Sequence, residues 1–348
     1  MNQRECRIVT LHKIFERVCP EVDIDKSFLI LGGIKNAAYY INIDKYCVLG
    51  CSGTNEINVP LIFDEFQIEY DVCNGTTLYN QIVSEGLNDD YVYIVPVIAQ
   101  ILNKDHVDFS EIKIKGQSYF SIDHVADERV YFDFIYGDPF ISLETLKKLD
   151  QNDNWLIYCN YEIYCIDKKK LKNNEFIKQC CNKTKKELIQ ECVQTFLTDK
   201  TTEYDNGFVR VDGEKSYQII IEHLLKARNY LEEIKDTKKY SGFIKYIYVQ
   251  SIYIRKFVLG GSDAYYRNEF NSILRDEYGQ EGSFKNNFKK WDMLECEWRN
   301  FGRKLCKVTE YDYVMKHPFE CLDYMIEKWK FLQEKEIEAI KELKSLIM

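Results

Sequence analysis

The spacing of apolar residues changes near residue 166, and this change constrains the fold more than any other feature of the chain. Before it, short runs rich in Ile, Val, Tyr and Phe are separated by Gly, Asn and Asp, as in strands joined by turns. After it, apolar residues recur every three or four positions, which is typical of amphipathic helices. The 348 residues are enough for two domains. We therefore predict an α+β fold, with a sheet-rich domain at residues 1–166 and an all-helical domain at residues 167–348.

The same patterns predict individual helices and strands. In the first half, helices are expected to begin near Cys6 and to span residues 77–84. The predicted strands are 28–31, 38–43, 66–70, 91–97, 109–114, 119–125, 130–136 and 155–165. The predicted helices of the second half are 186–197, 215–234, 241–259, 263–277, 284–308 and 319–347. All predicted strands therefore precede the long helices.

The charge balance and apolar runs exclude several classes of function. The chain has 47 Lys and Arg against 56 Asp and Glu, a net charge of −9, which argues against binding to nucleic acid phosphates. No apolar run reaches the roughly 18 to 20 residues that a membrane-spanning helix needs, so no membrane association is expected. The opening sequence Met-Asn-Gln-Arg-Glu-Cys lacks the regions of a secretory signal, and we expect a cytoplasmic protein.

Thirteen cysteines are scattered along the chain. In a cytoplasmic protein of this length they predict reduced thiols rather than a disulfide framework. Neither Cys47 with Cys51 nor the adjacent Cys180 and Cys181 has the spacing or the neighbouring histidine of a structural zinc site. The two Gly-Gly pairs lack the further Gly or Lys of nucleotide-binding loops. We therefore expect no metal and no cofactor.

Cys6 is the first candidate for a catalytic nucleophile. It stands at the predicted start of the first helix, where the positive end of the helix dipole favours the thiolate that attacks carbonyl groups. A cysteine nucleophile also needs a base and usually an orienting acid, which only the fold brings together. The alternative interpretation is that Cys6 is one more small residue near the start of the chain.

Histidine is scarce, with five in the whole chain. His106 opens a predicted strand, and Arg-Val-Tyr-Phe-Asp-Phe places Asp133 on a neighbouring strand, so that imidazole and carboxylate can meet across the sheet. His124 lies in Asp-His-Val-Ala-Asp, which is typical of a solvated loop. We therefore favour His106 over His124 as the base.

Several motifs follow the predicted N-terminal-helix cysteine in a fixed order. They are Phe-Leu-Ile-Leu-Gly-Gly with Tyr-Tyr-Ile, Tyr-Ile-Val-Pro-Val, a histidine-led strand, Val-Tyr-Phe-Asp-Phe and Ile-Ser-Leu-Glu-Thr-Leu. This order is similar to that of the papain-fold acyltransferases of natural-product pathways. The chain resembles the butirosin side-chain acyltransferase family and the amide-forming cysteine-protease homologues of closthioamide-type assembly. The resemblance covers roughly residues 1–165, and these families also tend to carry a helical C-terminal region.

The resemblance implies a papain-like N-terminal domain, in which a catalytic helix packs on an antiparallel sheet. It implies that Cys6 is the nucleophile, His106 the general base and acid, and Asp133 the residue that orients the imidazole. The chain departs from the wider fold family because it lacks the Cys-Gly-Ser-Cys-Trp sequence of secreted papain-like proteases and has a long interval between His106 and Asp133. Asp108 or Asp138 could therefore replace Asp133.

The resemblance also implies a function. We expect an acyltransferase that forms amide bonds from a carrier-protein thioester through an acyl-Cys6 intermediate, in nonribosomal or thiotemplated antibiotic biosynthesis. The expected partners are an acyl or peptidyl carrier protein, whose phosphopantetheine arm is the substrate, and a small-molecule amine acceptor. Only five residues precede Cys6, so no pro-segment is expected to keep a protease silent, which favours transfer over proteolysis. The alternatives are a cysteine peptidase or amidase with the same triad, and a catalytically silent binding or scaffold protein.

A lysine-rich stretch stands out in this acidic chain. It contains Lys168, Lys169, Lys170, Lys172, Lys178, Lys183, Lys185 and Lys186. Such a stretch can attract an acidic carrier protein, because complementary charge mainly raises the rate of encounter. The alternative interpretation is a solvated linker and helix start, since charge runs are usually exposed.

Overall fold

Strand pairing divides the chain into two units, each built from two separate stretches of sequence. The computed structural model describes residues 6–43, 46–52, 59–98, 101–107, 118–134, 137–149, 162–204, 207–259 and 263–348. Residues 1–27 and 58–183 form the sheet unit, and residues 28–57 and 184–348 form the helical unit. This division differs from the predicted boundary at 166/167, because β1 (Ala37–Ile43) pairs with β10 (Val209–Asp212) and so joins the second unit.

In the part of the chain that the structure describes, the sheet unit contains a six-stranded antiparallel sheet. Its strands are β3 (Asp71–Cys73), β4 (Tyr91–Val97), β5 (Ser118–Ala126), β6 (Arg129–Phe132), β7 (Phe140–Ser142) and β8 (Ile163–Asp167). They pair in the order β3-β8-β4-β5-β6-β7. The helices are α1 (Cys6–Val18), α3 (Val59–Glu65), α4 (Gly75–Glu85), α5 (Leu143–Lys148), α6 (Lys168–Lys172) and α7 (Glu175–Asn182), and α2 (Ile24–Ile30) crosses the boundary between the units.

Alternation of side chains along β5 gives this sheet two buried faces. Phe120 and Ile122 lie in one apolar cluster with Leu78 of α4. The other face of β5 meets α1, where the Thr10 hydroxyl donates a 2.6 Å hydrogen bond to the Tyr119 carbonyl oxygen. Helices therefore cover both faces of the sheet.

The helical unit combines a smaller sheet with long helices. Its described strands are β1, β2 (Tyr46–Ser52), β9 (Lys200–Glu203) and β10, which pair antiparallel in the order β2-β1-β10-β9. Its helices are α8 (Lys185–Leu197), α9 (Glu214–Glu233), α10 (Tyr240–Leu259), α11 (Asp263–Tyr278), α12 (Lys285–Val308), α13 (Tyr311–Lys316) and α14 (Pro318–Ile347), with a 3-10 turn at Gly282–Phe284. The prediction of a helical C-terminal region is confirmed.

A fully buried ion pair lies in the core of the helical unit. The side chains of Arg267 in α11 and Glu336 in α14 are both 0% exposed. The Arg267 Nε–H donates to Glu336 Oε1 at 2.8 Å, and the Tyr217 hydroxyl donates to Glu336 Oε2 at 2.7 Å. The indole N–H of Trp298 donates to the same oxygen at 3.2 Å. Because both carboxylate oxygens have donors, the cost of burying the charges is offset by direct partners.

Most of the predicted elements are confirmed, together with the mixed α+β class and its antiparallel sheets. Strand β4 has the predicted bounds, and α1 and α4 lie where the apolar spacing places them. The predicted helices 186–197, 215–234, 241–259, 263–277, 284–308 and 319–347 agree with α8 to α12 and α14 within one residue at each end. Amphipathic spacing over ten or more residues was therefore the most reliable signal.

Three predictions are corrected by the structure. An all-helical second domain is wrong, because β9 and β10 lie within it, and the Lys-Thr-Thr-Glu sequence of β9 is mostly exposed and shows no apolar alternation. Residues 28–31 belong to the end of α2 and the turn after it, since Asp23 accepts a hydrogen bond from the Lys26 backbone N–H and starts a helix there. Residues 66–70 form no strand, and β3 follows them.

Other predicted strands differ in length or extend beyond the described residues. Predicted strand 109–114 and most of 155–165 lie outside the described residues, and β8 begins at Ile163. Strand β6 ends at Phe132, four residues before the predicted end.

Candidate active site

Helix α1 begins at Cys6, as the apolar spacing predicts. Val9 and Ile14 of this helix are fully buried, and the Thr10 hydroxyl is bonded to β5 one turn after Cys6. These side-chain contacts hold the first turns of α1 against the sheet. The Cys6 side chain lies outside the described part of the structure. In general, a helix N-terminus offers unpaired N–H groups and the positive end of the helix dipole, which favour a thiolate.

Asp133 lies directly after β6 and faces α1. Its backbone N–H donates to the Ser121 carbonyl oxygen at 2.9 Å, which continues the pairing between β5 and β6. Its carboxylate oxygens lie 3.6 Å from Lys13 Nζ and 3.8 Å from Arg17 Nη2. Burial lowers the pKa of Lys13, but the hydrogen bond to Glu16 and the charge of Asp133 outweigh it and raise that pKa. Asp133 therefore ties α1 to the sheet electrostatically.

The ion pair of Asp133 lies well along α1 from Cys6. Lys13 and Arg17 are about 10 Å and about 16 Å beyond Cys6 along the helix axis, at ~1.5 Å per residue. An orienting carboxylate in a catalytic triad must instead lie within hydrogen-bond reach of the base beside the nucleophile. The described contacts therefore do not bring Asp133 to Cys6.

His106 is exposed and lies near the β5–β6 turn. The preceding Asp105 accepts two hydrogen bonds from Arg129, at 2.8 and 3.1 Å, and Arg129 pairs with Ala126 at the end of β5. Tyr119, which contacts α1, is about 23 Å from Ala126 at ~3.3 Å per strand residue. The described contacts thus place His106 at the opposite end of β5 from the start of α1, and none joins it to Asp133.

The alternative site residues are also placed. His124 lies within β5 rather than in a loop, but it is exposed as expected, with Nδ1 2.8 Å from Asp123 Oδ2. His12 is buried in α1, with Nδ1 3.0 Å from Ser27 Oγ. Asp138 is exposed in the segment before β7, and Asp108 lies outside the described residues. Neither the contact of His124 with Asp123 nor that of His12 with Ser27 supplies a histidine–carboxylate pair to Cys6.

The sequence analysis did not identify a pair of cysteines that lie in contact in the sheet unit. The sulfur atoms of Cys73 and Cys165 lie 3.3 Å apart across β3 and β8. The two residues are separated by 92 positions, and neither belongs to a recognisable spacing motif. Only the pairing of β3 with β8 identifies them, so no sequence signal pointed to this pair.

Metal sites, membrane-spanning helices and similar proteins give no further indication of the function. Within the described ranges, no group of three or more His, Cys, Asp or Glu side chains has a geometry suited to a metal ion. None of the described helices combines the length and apolar character that crossing a membrane requires. No protein-family model and no curated protein matches this chain. The functional interpretation therefore depends on the residues and geometry described above.

Proposed function

We propose that the chain is a cysteine-dependent acyltransferase of the papain-like type, with Cys6 as the nucleophile. The observation that supports this is the fixed start of α1: the helix begins at Cys6 and is bonded to β5 through Thr10 and Tyr119. A thiol at a held helix N-terminus is favoured as thiolate, and the neighbouring N–H groups can stabilise an oxyanion. The donor is an acyl thioester on the phosphopantetheine arm of a carrier protein, and the acceptor is a small amine.

The reaction proceeds in two steps. The Cys6 thiolate attacks the thioester carbonyl carbon, the carbon–sulfur bond to the phosphopantetheine breaks, and the released thiolate takes up a proton. The amine then attacks the acyl-Cys6 carbonyl, the Cys6 thiolate leaves, and the nitrogen loses a proton. Exchange between thioesters is nearly isoenergetic, so orientation and exclusion of water are the main requirements on the protein.

The proposal rests on Cys6 and not on His106 or Asp133. The sequence assigns the base to His106 and its orientation to Asp133. The contacts of Asp133 with Lys13 and Arg17 fit a positioning residue that holds α1 on the sheet.

The test is intact-mass analysis after incubation with acyl-phosphopantetheine or acyl-carrier thioesters, followed by addition of an amine. The wild type is compared with Cys6→Ala and with Cys296→Ala, which removes an exposed cysteine elsewhere in the chain. We expect an acyl adduct on the wild type and on Cys296→Ala, its absence on Cys6→Ala, and its discharge to an amide. An unchanged adduct on Cys6→Ala would contradict the proposal.

A specific observation favours a second candidate, a catalytically silent binding or scaffold protein. The described contacts separate His106 and Asp133 from the start of α1, which is the arrangement expected if Cys6 is incidental. In that case no acyl adduct forms with any thioester of the panel. An adduct that only water discharges would instead indicate a peptidase or amidase.

A further inference from the structure

Cys73 and Cys165 are diagonal neighbours on one face of the outer strands of the sheet unit. Cys73 pairs with Ile163, and Cys165 pairs with Asp71, so each thiol is two residues from the position opposite the other. The sulfur atoms are 3.3 Å apart, which is direct contact, and both side chains are half-buried. Small oxidants can therefore reach a pair whose sulfur atoms already touch.

The surroundings make the two thiols unequal. The hydrogen bond from Cys165 lowers the pKa of Cys73, an effect larger than the opposing effect of burial. The same hydrogen bond, burial and the negative charges of Cys73 and Asp71 raise the pKa of Cys165. Cys73 also directly precedes Asn74, the N-cap residue of α4, so it lies near the positive end of that helix dipole. Of the two thiols, Cys73 therefore loses its proton more readily than Cys165.

We propose that Cys73 and Cys165 are an oxidative modification site, at which hydrogen peroxide converts the two thiols into a reversible disulfide. The Cys73 thiolate attacks a peroxide oxygen, the O–O bond breaks, and Cys73 becomes a sulfenic acid as hydroxide leaves and takes a proton to form water. The Cys165 sulfur then attacks the Cys73 sulfur, the S–O bond breaks, and a second water leaves with the Cys165 proton. Two thiols are oxidised and one peroxide is reduced to two waters. This site does not depend on the proposed acyl transfer.

The disulfide would act on the edge of the sheet. Strand β3 has three residues, and among the described strands it pairs with β8 alone. Helix α4 begins two residues after Cys73. A covalent bond between Cys73 and Cys165 would hold this edge strand to β8. Oxidation should therefore raise the thermal midpoint of the protein, because the unfolded chain loses freedom when the two positions are linked.

Other thiols provide internal controls. Cys181 is buried next to Cys19, and its pKa is raised to about 12, mainly by burial. This second pair should resist oxidation, because the thiol rather than the thiolate predominates. Cys296 and Cys306 are exposed single thiols in α12. They report the reactivity that exposure alone confers.

The experiment treats the native wild-type chain with a small molar excess of hydrogen peroxide and digests it, after alkylation, with a protease specific for glutamate. Cleavage after Glu69, Glu85, Glu162 and Glu175 releases peptides 70–85 and 163–175, each with one cysteine. We expect a disulfide-linked product of these two peptides, which dithiothreitol reverses. It should form about tenfold faster than Cys296 or Cys306 is oxidised, as expected for a thiolate compared with ordinary thiols.

Two variants test the order of the steps. Cys165→Ser should accumulate a sulfenic acid at Cys73 that dimedone captures, whereas Cys73→Ser should leave Cys165 unlabelled. Cys296→Ser should form the disulfide like the wild type. Absence of the linked peptides from the oxidised wild type, or prior oxidation of Cys296 and Cys306, would overturn the site. Dimedone labelling of Cys165 in Cys73→Ser would overturn the assignment of the attacking thiol.

Discussion

An ion pair of the helical unit and one of the sheet unit differ in burial and in distance. In the helical unit, Arg267 and Glu336 are completely buried and bonded to each other. In the sheet unit, Asp133 is about one fifth exposed and lies at longer distances from Lys13 and Arg17. The first pair is part of a packed core, whereas the second holds a helix to the surface of a sheet. The Arg267–Glu336 pair therefore contributes to packing, whereas the contacts of Asp133 position α1 on the sheet.

Cys73 of the sheet unit differs in a similar way from the buried thiols of the helical unit. Cys192 and Cys321 of the helical unit are buried, and burial raises the pKa of both, that of Cys321 to about 12. In the sheet unit, Cys73 is half-buried and has a lowered pKa because Cys165 donates a hydrogen bond to it. Reactive sulfur chemistry is therefore expected in the sheet unit, and the following experiments are designed to break or sharpen that contrast.

The largest effect is expected at the buried ion pair of the helical unit. Glu336→Ala should lower the free energy of unfolding by about 3 to 5 kcal/mol, because Arg267 remains buried without its partner. The matched control is Asp323→Ala on the same helix, which breaks an ion pair with Arg228 whose side chains are 36% and 50% exposed. That loss should be about 1 kcal/mol or less. Urea unfolding measures both, and equal losses would show that burial does not distinguish the pairs.

A smaller loss of stability is expected when the pH is lowered. His223 is buried beside Tyr40, and burial, together with the charge of Lys226, lowers its pKa to about 4. Above pH 6.5 the imidazole is neutral in both states, so its titration changes nothing. Between pH 6.5 and pH 4 the unfolded chain binds a proton that the folded chain does not, and stability falls. The loss should reach about 2 to 3 kcal/mol.

His223→Phe tests this pH dependence. The variant keeps a ring beside Tyr40 and should lose less stability than the wild type between neutral pH and pH 4.5 in urea unfolding. The control is His317→Phe, since the His317 side chain is 46% exposed and pairs with Glu320. It should follow the wild-type curve. A His223→Phe curve parallel to that of the wild type would rule out the buried neutral imidazole as the cause.

A still smaller change is expected in the sheet unit. Asp133→Asn should cost about 1 kcal/mol, because its two ion pairs are partly solvated. The loss should be local, with amide hydrogen exchange in α1 about fivefold faster, since ~1.4 kcal/mol corresponds to a tenfold change. The control is Asp123→Asn, an exposed residue paired with His124, which should leave α1 unchanged. Unaltered exchange in α1 of Asp133→Asn would contradict the positioning role.

The smallest effect is expected if a carrier protein docks on α6, as the lysine-rich stretch predicts. Lys169 and Lys172 are exposed, and replacing both by glutamate should slow acylation by a carrier protein a few-fold at low salt. The difference should vanish at high salt, where surface charges are screened. In the matched control, Lys238 and Lys239 are both replaced by glutamate; they are exposed in the helical unit. Equal rates for the two double variants would exclude α6 as the docking surface.

The long elements were predictable from the sequence because each carries its own signal. Helices α9 and α14 repeat their apolar stripe over many turns, and β4 is a buried run between turn residues. Strand β9 could not be predicted, since its residues are polar and mostly exposed and its pairing with β10 supplies the structure. The apolar residues 28–31 fit either a helix or a strand, and the capping by Asp23 decides between them.

The site was less predictable than the fold. The helix beginning at Cys6 follows from local spacing. The relation of His106 and Asp133 to that helix depends on how β5 and β6 pair and on which end of the sheet α1 covers. The contact of Cys73 with Cys165 depends on pairing across 92 positions. Such distances are set by tertiary packing, for which a single sequence carries no direct signal.

The measurement that tests the central claim most directly is a site-resolved rate of alkylation for every cysteine of the native chain. We expect Cys6 to react about tenfold faster than Cys296 and Cys306, because a helix N-terminus favours the thiolate. Cys192 and Cys321 should react only after unfolding. If Cys6 is alkylated no faster than the exposed cysteines of α12, it is not an activated nucleophile, and the proposed acyl transfer is contradicted.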